Sequence, residues 1–234
     1  MLDVRHLSVW YDVTEVLRDV SFSVQERSVV ALLGGNGSGK STLLNALSGL
    51  IAPKSGSVRY RGEETAGLGA HLMVRRGVVQ VPQGREVFPD MSVEDNLELG
   101  AATRANRREI RKHMAEVFDL FPVLRERRAR WAGSLSGGEQ TQLSIGRALM
   151  SRARLLLMDE PSVGLAPRMV DTVIATIQQL RERGLTILLV EQNVGVAAAV
   201  AEQAHVLKDG VIAYAGRAKD LINDPEVLAS YLGR

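Results

Sequence analysis

A run of five apolar residues leads directly into a glycine-rich loop near the start of the chain. Residues 29–33 read VVALL without alternating polar positions, which is the pattern of a strand buried on both faces. Residues 34–41 read GGNGSGKS and match G-x-x-x-x-G-K-[ST]. Leu43, Leu44 and Leu47 follow at helical spacing. A strand, a tight loop and a helix in this order predict an α/β fold.

This loop has the chemistry of a polyphosphate site. Its glycines let several N–H groups point inward, and the helix N-terminus adds unpaired donors and a positive dipole end. In such a loop Lys40 would reach the β- and γ-phosphates, and the Ser41 hydroxyl would bind Mg2+. The alternative is a glycine-rich turn that happens to precede a helix. The predicted nucleotide-binding residues are Gly34, Gly35, Asn36, Gly37, Ser38, Gly39, Lys40, Ser41 and Thr42.

The composition is that of an ordinary globular protein. The 234 residues are 45% hydrophobic and 24% charged, which suits one large domain or one domain with an inserted subdomain. The sequence has no cysteine, so disulfides and cysteine-based metal or nucleophilic sites are excluded. The N-terminus lacks a signal-peptide pattern, and no apolar run approaches the ~20 residues that span a bilayer. We therefore expect any membrane role to come through partners.

Positive charge is concentrated in residues 101–134. This segment carries nine Arg or Lys against four acids, a net +5, whereas the whole chain carries +2. The net charge of the chain is too small to predict nucleic-acid binding. For the basic segment we favour a solvated helical face. The alternative is a surface that lies near anionic headgroups or a partner.

Three more apolar stretches predict strands that end in polar residues. They cover residues 77–82, 155–160 and 186–190. Parallel α/β sheets bind ligands at the carboxyl ends of their strands. The polar residues that should converge there with the loop are Gln83, Asp159, Glu160 and Gln192. The remaining patterns predict short alternating strands before residue 30, an ambiguous stretch over 62–76, helices over 92–150 and 167–183, a hairpin over 204–214 and a terminal helix over 221–232.

Two acids end the predicted strand over 155–160. An aspartate at such a strand end holds Mg2+ directly or through water, so we assign Asp159 to the metal. Glu160 follows it and is placed to act as general base on an attacking water, a role that contributes about 10²–10⁴-fold in rate. Without a nucleotide in the loop, the alternative is a pair of merely solvated acids.

A second glycine pair lies in residues 135–140, which read LSGGEQ. Ser136 and Glu139 fit a capping box and predict that a helix starts here. Two glycines in a first helical turn cost about 1 kcal/mol each relative to alanine, and close approach of a phosphate would explain that cost. One nucleotide does not need two such sites. In a pair of chains that face each other, the glycine pair of one chain would contact the phosphates bound by the other chain.

The order of these motifs resembles that of ATP-binding cassette (ABC) ATPases over nearly the whole chain. The resemblance implies a P-loop NTPase core of α/β class with a small antiparallel β subdomain and an inserted helical signature subdomain. The implied division is a core with its β subdomain in residues 1–84 and 155–234, and a helical signature subdomain in residues 85–154.

The resemblance also implies roles for individual residues. Tyr11 matches the aromatic that stacks on adenine, with an ordinary packing aromatic as the alternative. Gln83 matches a ligand of Mg2+ and water that also senses the membrane subunits, and residues 162–166 match a segment that crosses the dimer interface. The implied catalytic residues are Lys40, Glu160 and Gln192. The implied contacts to the opposite subunit's ATP are Ser136, Gly137, Gly138, Glu139 and Gln140.

Gln192 departs from the general cassette pattern, in which a histidine follows this strand. An amide can donate to a γ-phosphate but cannot titrate. The sequences VEQN at 190–193 and VPQGR at 81–85 resemble the smaller of the two ATPase subunits of branched-chain amino acid importers. Gln83 and Thr141 differ from the residues common at their positions in that subgroup.

The resemblance therefore implies an ATPase that uses ATP and Mg2+ and powers uptake of branched-chain or related hydrophobic amino acids. Its implied partners are a second ABC ATPase subunit, paralogue or self, in a head-to-tail dimer, two integral membrane permeases and, indirectly, a solute-binding protein, with no nucleic acid. The implied location is peripheral, on the cytoplasmic face of the membrane. The alternatives are an importer of urea, amides or aromatic acids, a lipopolysaccharide-export ATPase, and a soluble ABC ATPase outside transport.

Overall fold

The structure is a computed structural model that describes residues 1–221. The strands are β1 (Leu2–Tyr11), β2 (Thr14–Val24), β3 (Val29–Leu33), β4 (Ser55–Tyr60), β5 (Glu63–Glu64), β6 (Val78–Val81), β7 (Leu155–Asp159), β8 (Thr186–Glu191), β9 (Gln203–Lys208) and β10 (Val211–Arg217). The helices are α1 (Lys40–Leu47), α2 (Ala70–Arg76), α3 (Val93–Gly100), α4 (Arg107–Leu120), α5 (Pro122–Glu126), α6 (Gly137–Met150), α7 (Pro167–Glu182), α8 (Val194–Val200) and α9 (Ala218–Leu221). The helix predicted over 221–232 lies outside the described residues beyond Leu221.

The central element is a six-stranded sheet in the order β10-β9-β3-β8-β7-β6. Strands β9, β3, β8, β7 and β6 are parallel, and β10 pairs antiparallel with β9. All residues of β3, β7 and β8 are buried, as their apolar runs predicted. The predicted hairpin is confirmed, since Asp209 and Gly210 turn between β9 and β10 with φ of 46° and 80°.

Alternate residues of β3 face two different apolar cores. Val29, Ala31 and Leu33 pack with the helices from α3 to α8 on one face of the sheet. Val30 and Leu32 pack on the other face with α1 and with a second, smaller sheet. A strand covered on both faces needs apolar side chains at every position, which explains why VVALL shows no alternation.

The second sheet is antiparallel, in the order β2-β1-β4-β5. The alternating pattern predicted short strands here, but β1 and β2 each run through ten or more residues. The difference arises from bulges: the register shifts between Val4 and Leu7, and His6 and Asp19 have φ of 52° and 50°. Each bulge moves the next side chain to the opposite face and interrupts the period of two in the sequence.

The helices predicted over 92–150 are confirmed as α3 to α6, which lie between β6 and β7 in the chain. Their starts are capped by side chains, since Ser92 accepts from the Asp95 N–H and Asn106 accepts from Arg108 and Glu109. Pro122 opens α5. In the ambiguous stretch over 62–76 the structure has β5 and then α2, which begins after Gly69. None of the helices within residues 1–221 is both long and apolar enough to cross a membrane.

We predict that Gly100→Ala destabilises the protein by about 1–3 kcal/mol, because overpacking forces shifts of the surrounding structure. A Cβ at Gly100 would collide with the backbone carbonyl of Arg147 where α3 crosses α6, and a backbone atom cannot move aside cheaply. The measurement is the free energy of unfolding in urea. The matched control is Gly195→Ala in the exposed first turn of α8, where alanine is the better helix former. Equal stability of Gly100→Ala and wild type would contradict the packing argument.

Candidate active site

Four segments of the chain meet at the carboxyl edge of the six-stranded sheet. The parallel register pairs Leu33 with Glu191 and Val190 with Asp159, so neighbouring strands end side by side. We call residues 34–42 the P-loop. The P-loop follows β3. The residues of interest after the other strands are Gln192 after β8, Glu160 after β7 and Gln83 after β6.

Two glycines of the P-loop, Gly34 and Gly39, occupy positions that a larger residue would not fit. A Cβ at Gly34 would lie 2.5 Å from the carbonyl oxygen of Leu207, and one at Gly39 would lie 2.7 Å from Leu17 Cδ2. Gly39 also has a φ of 105°, which favours glycine. Lys40 begins α1, and its ammonium donates to the carbonyls of Gly34 and Gly35, both at 2.9 Å. The loop therefore curls around the ammonium group of its own lysine.

Glu160 is the point on which the predicted site residues converge. Lys40 Nζ lies 3.2 Å from its Oε1, and the amides of Gln192 and Gln83 donate to Oε1 at 3.0 Å and to Oε2 at 3.1 Å. The side chain is only 6% exposed. A buried carboxylate is costly unless its oxygens are paired, and here three donors hold both of them.

The backbone of Glu160 is strained. Its φ is 45°, in the left-handed region that a glutamate rarely adopts, while its N–H donates to the carbonyl of Val190 at 2.9 Å. This conformation costs about 1–3 kcal/mol. It turns the chain sharply at the end of β7 and directs the carboxylate toward Lys40.

Gln192 joins the P-loop to this carboxylate. Its amide nitrogen also donates to the side-chain oxygen of Asn36 in the P-loop. Asn36 was predicted only as part of the loop, and its contact with Gln192 was missed. The two residues are 156 positions apart, so no local pattern in the sequence could have linked them.

Asp159 is 4% exposed, and its Oδ1 atom has no hydrogen-bond partner within residues 1–221. Burial raises the pKa of the Asp159 carboxyl, and the Glu160 charge raises it further, whereas a hydrogen bond with Ser41 and the charge of Lys40 lower it. An unpaired carboxylate oxygen beside a serine hydroxyl fits a divalent cation that has oxygen ligands. Residues 1–221 contain no cluster of three or more metal-binding side chains, and Mg2+ commonly takes only one or two carboxylates together with phosphates.

Residues 17–163 match the ABC transporter family. The chain belongs to the ABC transporter family of ATP-binding proteins. It is 44% identical to the high-affinity branched-chain amino acid transport ATP-binding protein BraG of Pseudomonas aeruginosa, over the whole of both chains. It is 38% identical to a probable branched-chain amino acid transport ATP-binding protein, LivF, of Archaeoglobus fulgidus, over 95% of this chain and 94% of the relative.

Solved cassettes have the same fold. The ADP conformation of MJ1267, an ATP-binding cassette of an ABC transporter, is 26% identical with a TM-score of 0.90 over 100% of this chain and 99% of that one. A dimeric structure of MJ0796, a bacterial ABC transporter cassette, is 25% identical with a TM-score of 0.82 over 93% of this chain and 99% of that one. The predicted fold class is therefore confirmed.

Residues 136–140, the predicted contacts to the opposite subunit's ATP, lie at the start of α6. The predicted capping box is confirmed: Ser136 accepts from the Glu139 N–H, and Glu139 accepts from the Ser136 N–H at 2.7 Å. Two further contacts of this segment are also to nearby residues. The Gln140 amide donates to the Ala132 carbonyl, and Glu139 forms an ion pair with Arg127. Within one cassette, these residues bond to their own helical region and not to the P-loop.

Gly137 and Gly138 lie close to side chains from two other segments of the chain. A Cβ at Gly137 would lie 2.9 Å from the guanidinium of Arg85, and one at Gly138 would collide with the Met169 side chain at the start of α7. From the sequence we predicted that close approach of a phosphate explains both glycines. In the structure the ends of the Met169 and Arg85 side chains also lie beside them, but these ends are flexible and would exclude a larger residue only weakly.

Tyr11 ends β1 at the tip of the first hairpin, and it is 46% exposed. The other strand of that hairpin reaches the P-loop, since Leu17 contacts Gly39. The exposed ring is therefore carried by an element that touches the nucleotide loop. Stacking of Tyr11 on adenine stays a prediction.

Glu191 is a candidate functional residue to which we assigned no role from the sequence. It is 2% exposed and accepts hydrogen bonds from the backbone N–H groups of Ser162, at 3.1 Å, and Asn193, at 3.4 Å. Burial raises the pKa of its carboxyl, and the contacts with Ser162 oppose that effect. Glu191 thus anchors the start of residues 162–166, the predicted interface segment. An acid that ends a wholly apolar strand was the available signal.

We predict that Asp159→Asn raises the thermal stability of the nucleotide-free cassette at pH 7. Since burial places the pKa of Asp159 above its unfolded value, its ionised form costs free energy in the folded state. That cost is absent at low pH, where the carboxyl is protonated, and develops as the pH rises through the folded pKa. Calorimetry should show a Tm gain that grows with pH, by roughly 2–4 °C per 1 kcal/mol.

The control for this prediction is Asp171→Asn, at an exposed position of α7. It should leave Tm unchanged across the same pH range. A lower Tm for Asp159→Asn at pH 7 would show that attraction to Lys40 outweighs burial, and would contradict the prediction.

Proposed function

We propose that this chain is the ATP-hydrolysing subunit of an ABC importer that takes up branched-chain or related hydrophobic amino acids. The observation that carries the ATPase assignment is the convergence of Lys40, Gln83 and Gln192 on the Glu160 carboxylate at the mouth of the P-loop. The 44% identity with the BraG transport protein supports the solute class.

In the proposed mechanism the buried network exchanges partners when ATP enters. The P-loop N–H groups and the helix N-terminus of α1 bind the phosphates, and Lys40 turns from the loop carbonyls toward them. When Lys40 leaves, Oε1 of Glu160 keeps only its hydrogen bond from Gln192 and can accept a proton from the attacking water. Gln83 and Gln192 keep the carboxylate oriented. Because Gln192 also donates to Asn36, a movement of Asn36 in the P-loop would shift Gln192 and with it the hydrogen bond to Glu160.

The cofactor we propose is Mg2+, held by Ser41, Asp159 and Gln83 together with the phosphates of ATP. When bound, such an ion neutralises charge on the β- and γ-phosphates. The unpaired Oδ1 of Asp159 supports this assignment, because a cation would satisfy an acceptor that the protein leaves unpaired.

We propose that two cassettes act as a head-to-tail dimer, with a paralogue or a second copy as partner. Residues 136–140 would contact the γ-phosphate in the partner's P-loop. This is supported by their hydrogen bonds, which stay within their own helical region and do not reach the P-loop of their own chain. The dimer of MJ0796 is a precedent within the fold. In this arrangement residues 1–84 and 155–234 form the nucleotide-binding core with its β subdomain, and residues 85–154 form the signature subdomain.

We propose that two separate membrane permeases receive the motion of the cassettes, which would place the chain at the cytoplasmic face of the membrane. A groove of about 350 Å³ lies beside the segment that follows Gln83. Phe88 and Leu99 line it, and the Arg147 guanidinium lies 5.3 Å from the centre of the Phe88 ring. We call it the Phe88 groove and assign it to a permease segment.

We predict that Glu160→Gln retains ATP binding but lowers ATP hydrolysis by at least about 10²-fold, because the amide cannot accept the proton from water. Cells that carry the change on the chromosome should lose energy-dependent uptake of radiolabelled leucine. The matched control is Glu182→Gln, at an exposed position near the end of α7, which should retain both activities.

Two outcomes separate the parts of this proposal. If hydrolysis is lost but leucine uptake is unchanged with other leucine carriers removed, the amino acid assignment is wrong, and urea and short amides become the next substrates to test. If the purified Glu160→Gln cassette hydrolyses ATP at the wild-type rate, the role of Glu160 as general base is wrong.

A further inference from the structure

A cleft lined by arginines lies on the side of the molecule away from the P-loop residues. It has a volume of about 240 Å³ and is formed by the end of α2, the loop after α3 and the turn between α6 and β7. We call it the arginine cleft. Its charged residues are Arg75, Arg76, Arg104, Arg152 and Arg154.

The carboxylates within reach do not balance these charges. Glu63 lies 3.8 Å from Arg76, and Glu109 is shared between Arg104, at 3.6 Å, and Arg152. Arg75 and Arg154 have no carboxylate within 4 Å in the described part of the chain. Five guanidinium groups against two carboxylates leave an excess of three positive charges around one small cleft.

Arg104 is buried in a way that a solvated basic surface does not explain. Its side chain is 10% exposed, and Nη1 donates to the carbonyl of Met150 at 2.9 Å. Nη1 also lies 2.8 Å from Nδ1 of His113, whose pKa is lowered by burial and by the charge of Arg104. The Nη2 atom is buried without a hydrogen-bond partner in residues 1–221, and its ion-pair partner, Oε2 of Glu109, lies 3.6 Å away. A buried guanidinium whose donors are only partly paired is costly, and a negative group in the cleft would stabilise it.

Arg152 lies in the turn after α6, at the edge of the cleft. It follows the C-cap of α6 with a φ of 64°, at the position where helices usually place glycine. A side chain in this conformation costs about 1–2 kcal/mol. The helix dipole accounts for a basic residue near a helix C-terminus, as it does for Arg75 and Arg76 in α2. The Arg152 guanidinium donates to Glu109, so Arg152 shares its carboxylate with Arg104 and adds positive charge to the cleft.

We propose that the arginine cleft is a binding site for a phosphate-bearing anion. Guanidinium groups bind phosphate through paired, charge-assisted hydrogen bonds, and an excess of three positive charges matches a group with two or more negative charges better than a single carboxylate. The ligand is either a small soluble phosphate compound or the headgroup of an anionic phospholipid. Both present the same chemistry to the arginines.

The cleft lies between separate parts of the cassette, so an anion bound in it would contact all of them at once. On one side the cleft is lined by the end of α2 and the turn before β7, which belong to the sheet region. On the other side it is lined by the loop after α3 and the end of α6. It also shares Val74, Thr103 and Ser151 with the Phe88 groove. A bound anion would therefore restrain the helices that line the groove.

The test uses inorganic pyrophosphate as the probe and the full chain with its P-loop saturated with ADP. ADP binding is measured first, so that failure of the P-loop assignment is distinguishable from failure of this proposal. Calorimetry should show pyrophosphate binding in the wild type. The double variant Arg75→Gln/Arg154→Gln should weaken binding at least about tenfold, since it removes two charge-assisted contacts.

The matched control is Arg108→Gln/Arg111→Gln, which makes the same charge change at exposed positions of α4. It should bind pyrophosphate as the wild type does. Equal weakening in both double variants would mean a nonspecific effect of net charge. Unchanged binding in both would place the pyrophosphate elsewhere, and no binding to the wild type would mean that the cleft takes no such anion. Each of these three results overturns the proposal.

Vesicles distinguish the two sources of the anion. If the wild type sediments with phosphatidylglycerol vesicles but not with phosphatidylcholine vesicles, and both Arg75→Gln/Arg154→Gln and added pyrophosphate abolish this, the ligand is a lipid headgroup. If pyrophosphate binds through Arg75 and Arg154 but the vesicles do not sediment the protein, the ligand is a soluble phosphate compound.

Discussion

The buried carboxylate of Glu160 is the group on which the arrangement of the site depends. A charge that is 6% exposed persists in a fold only when its oxygens are paired, and its three partners come from three different segments, which follow β3, β6 and β8. These partners can reach it only if the four strands end in register. The apolar runs that fix this register therefore also determine the electrostatics of the site.

The same edge of the sheet holds charges that the fold tolerates at a cost. Burial raises the pKa of both Asp159 and Glu191, so each ionised carboxylate lowers the stability of the folded state relative to the unfolded chain. Glu160 adds a strained backbone. Such costs are expected where preorganised charges serve function. Glu191 differs from the other two because two backbone N–H groups satisfy it, which fits an anchor for residues 162–166.

Much of this fold follows from local sequence, because buried strands, caps and tight turns each have a local physical cause. The VVALL strand, the capping box at Ser136 and the Asp-Gly hairpin were all predictable for that reason. The bulges at His6 and Asp19 were not, because they break the alternation from which strands are recognised. Contacts between distant segments, such as Gln192 with Asn36, have no local signal at all.

The basic segment over 101–134 shows where the limit of local reasoning lies. Most of its arginines and lysines are exposed, as a solvated helical face predicts. Arg104 is the exception, because it is buried among residues that are close only in the folded chain. Net charge per segment counts Arg104 with its neighbours and cannot separate a solvated charge from a buried one. The distinction rests on what surrounds each guanidinium, and Arg104 is held by the Met150 carbonyl at the end of α6 as well as by His113 and Glu109 of its own segment.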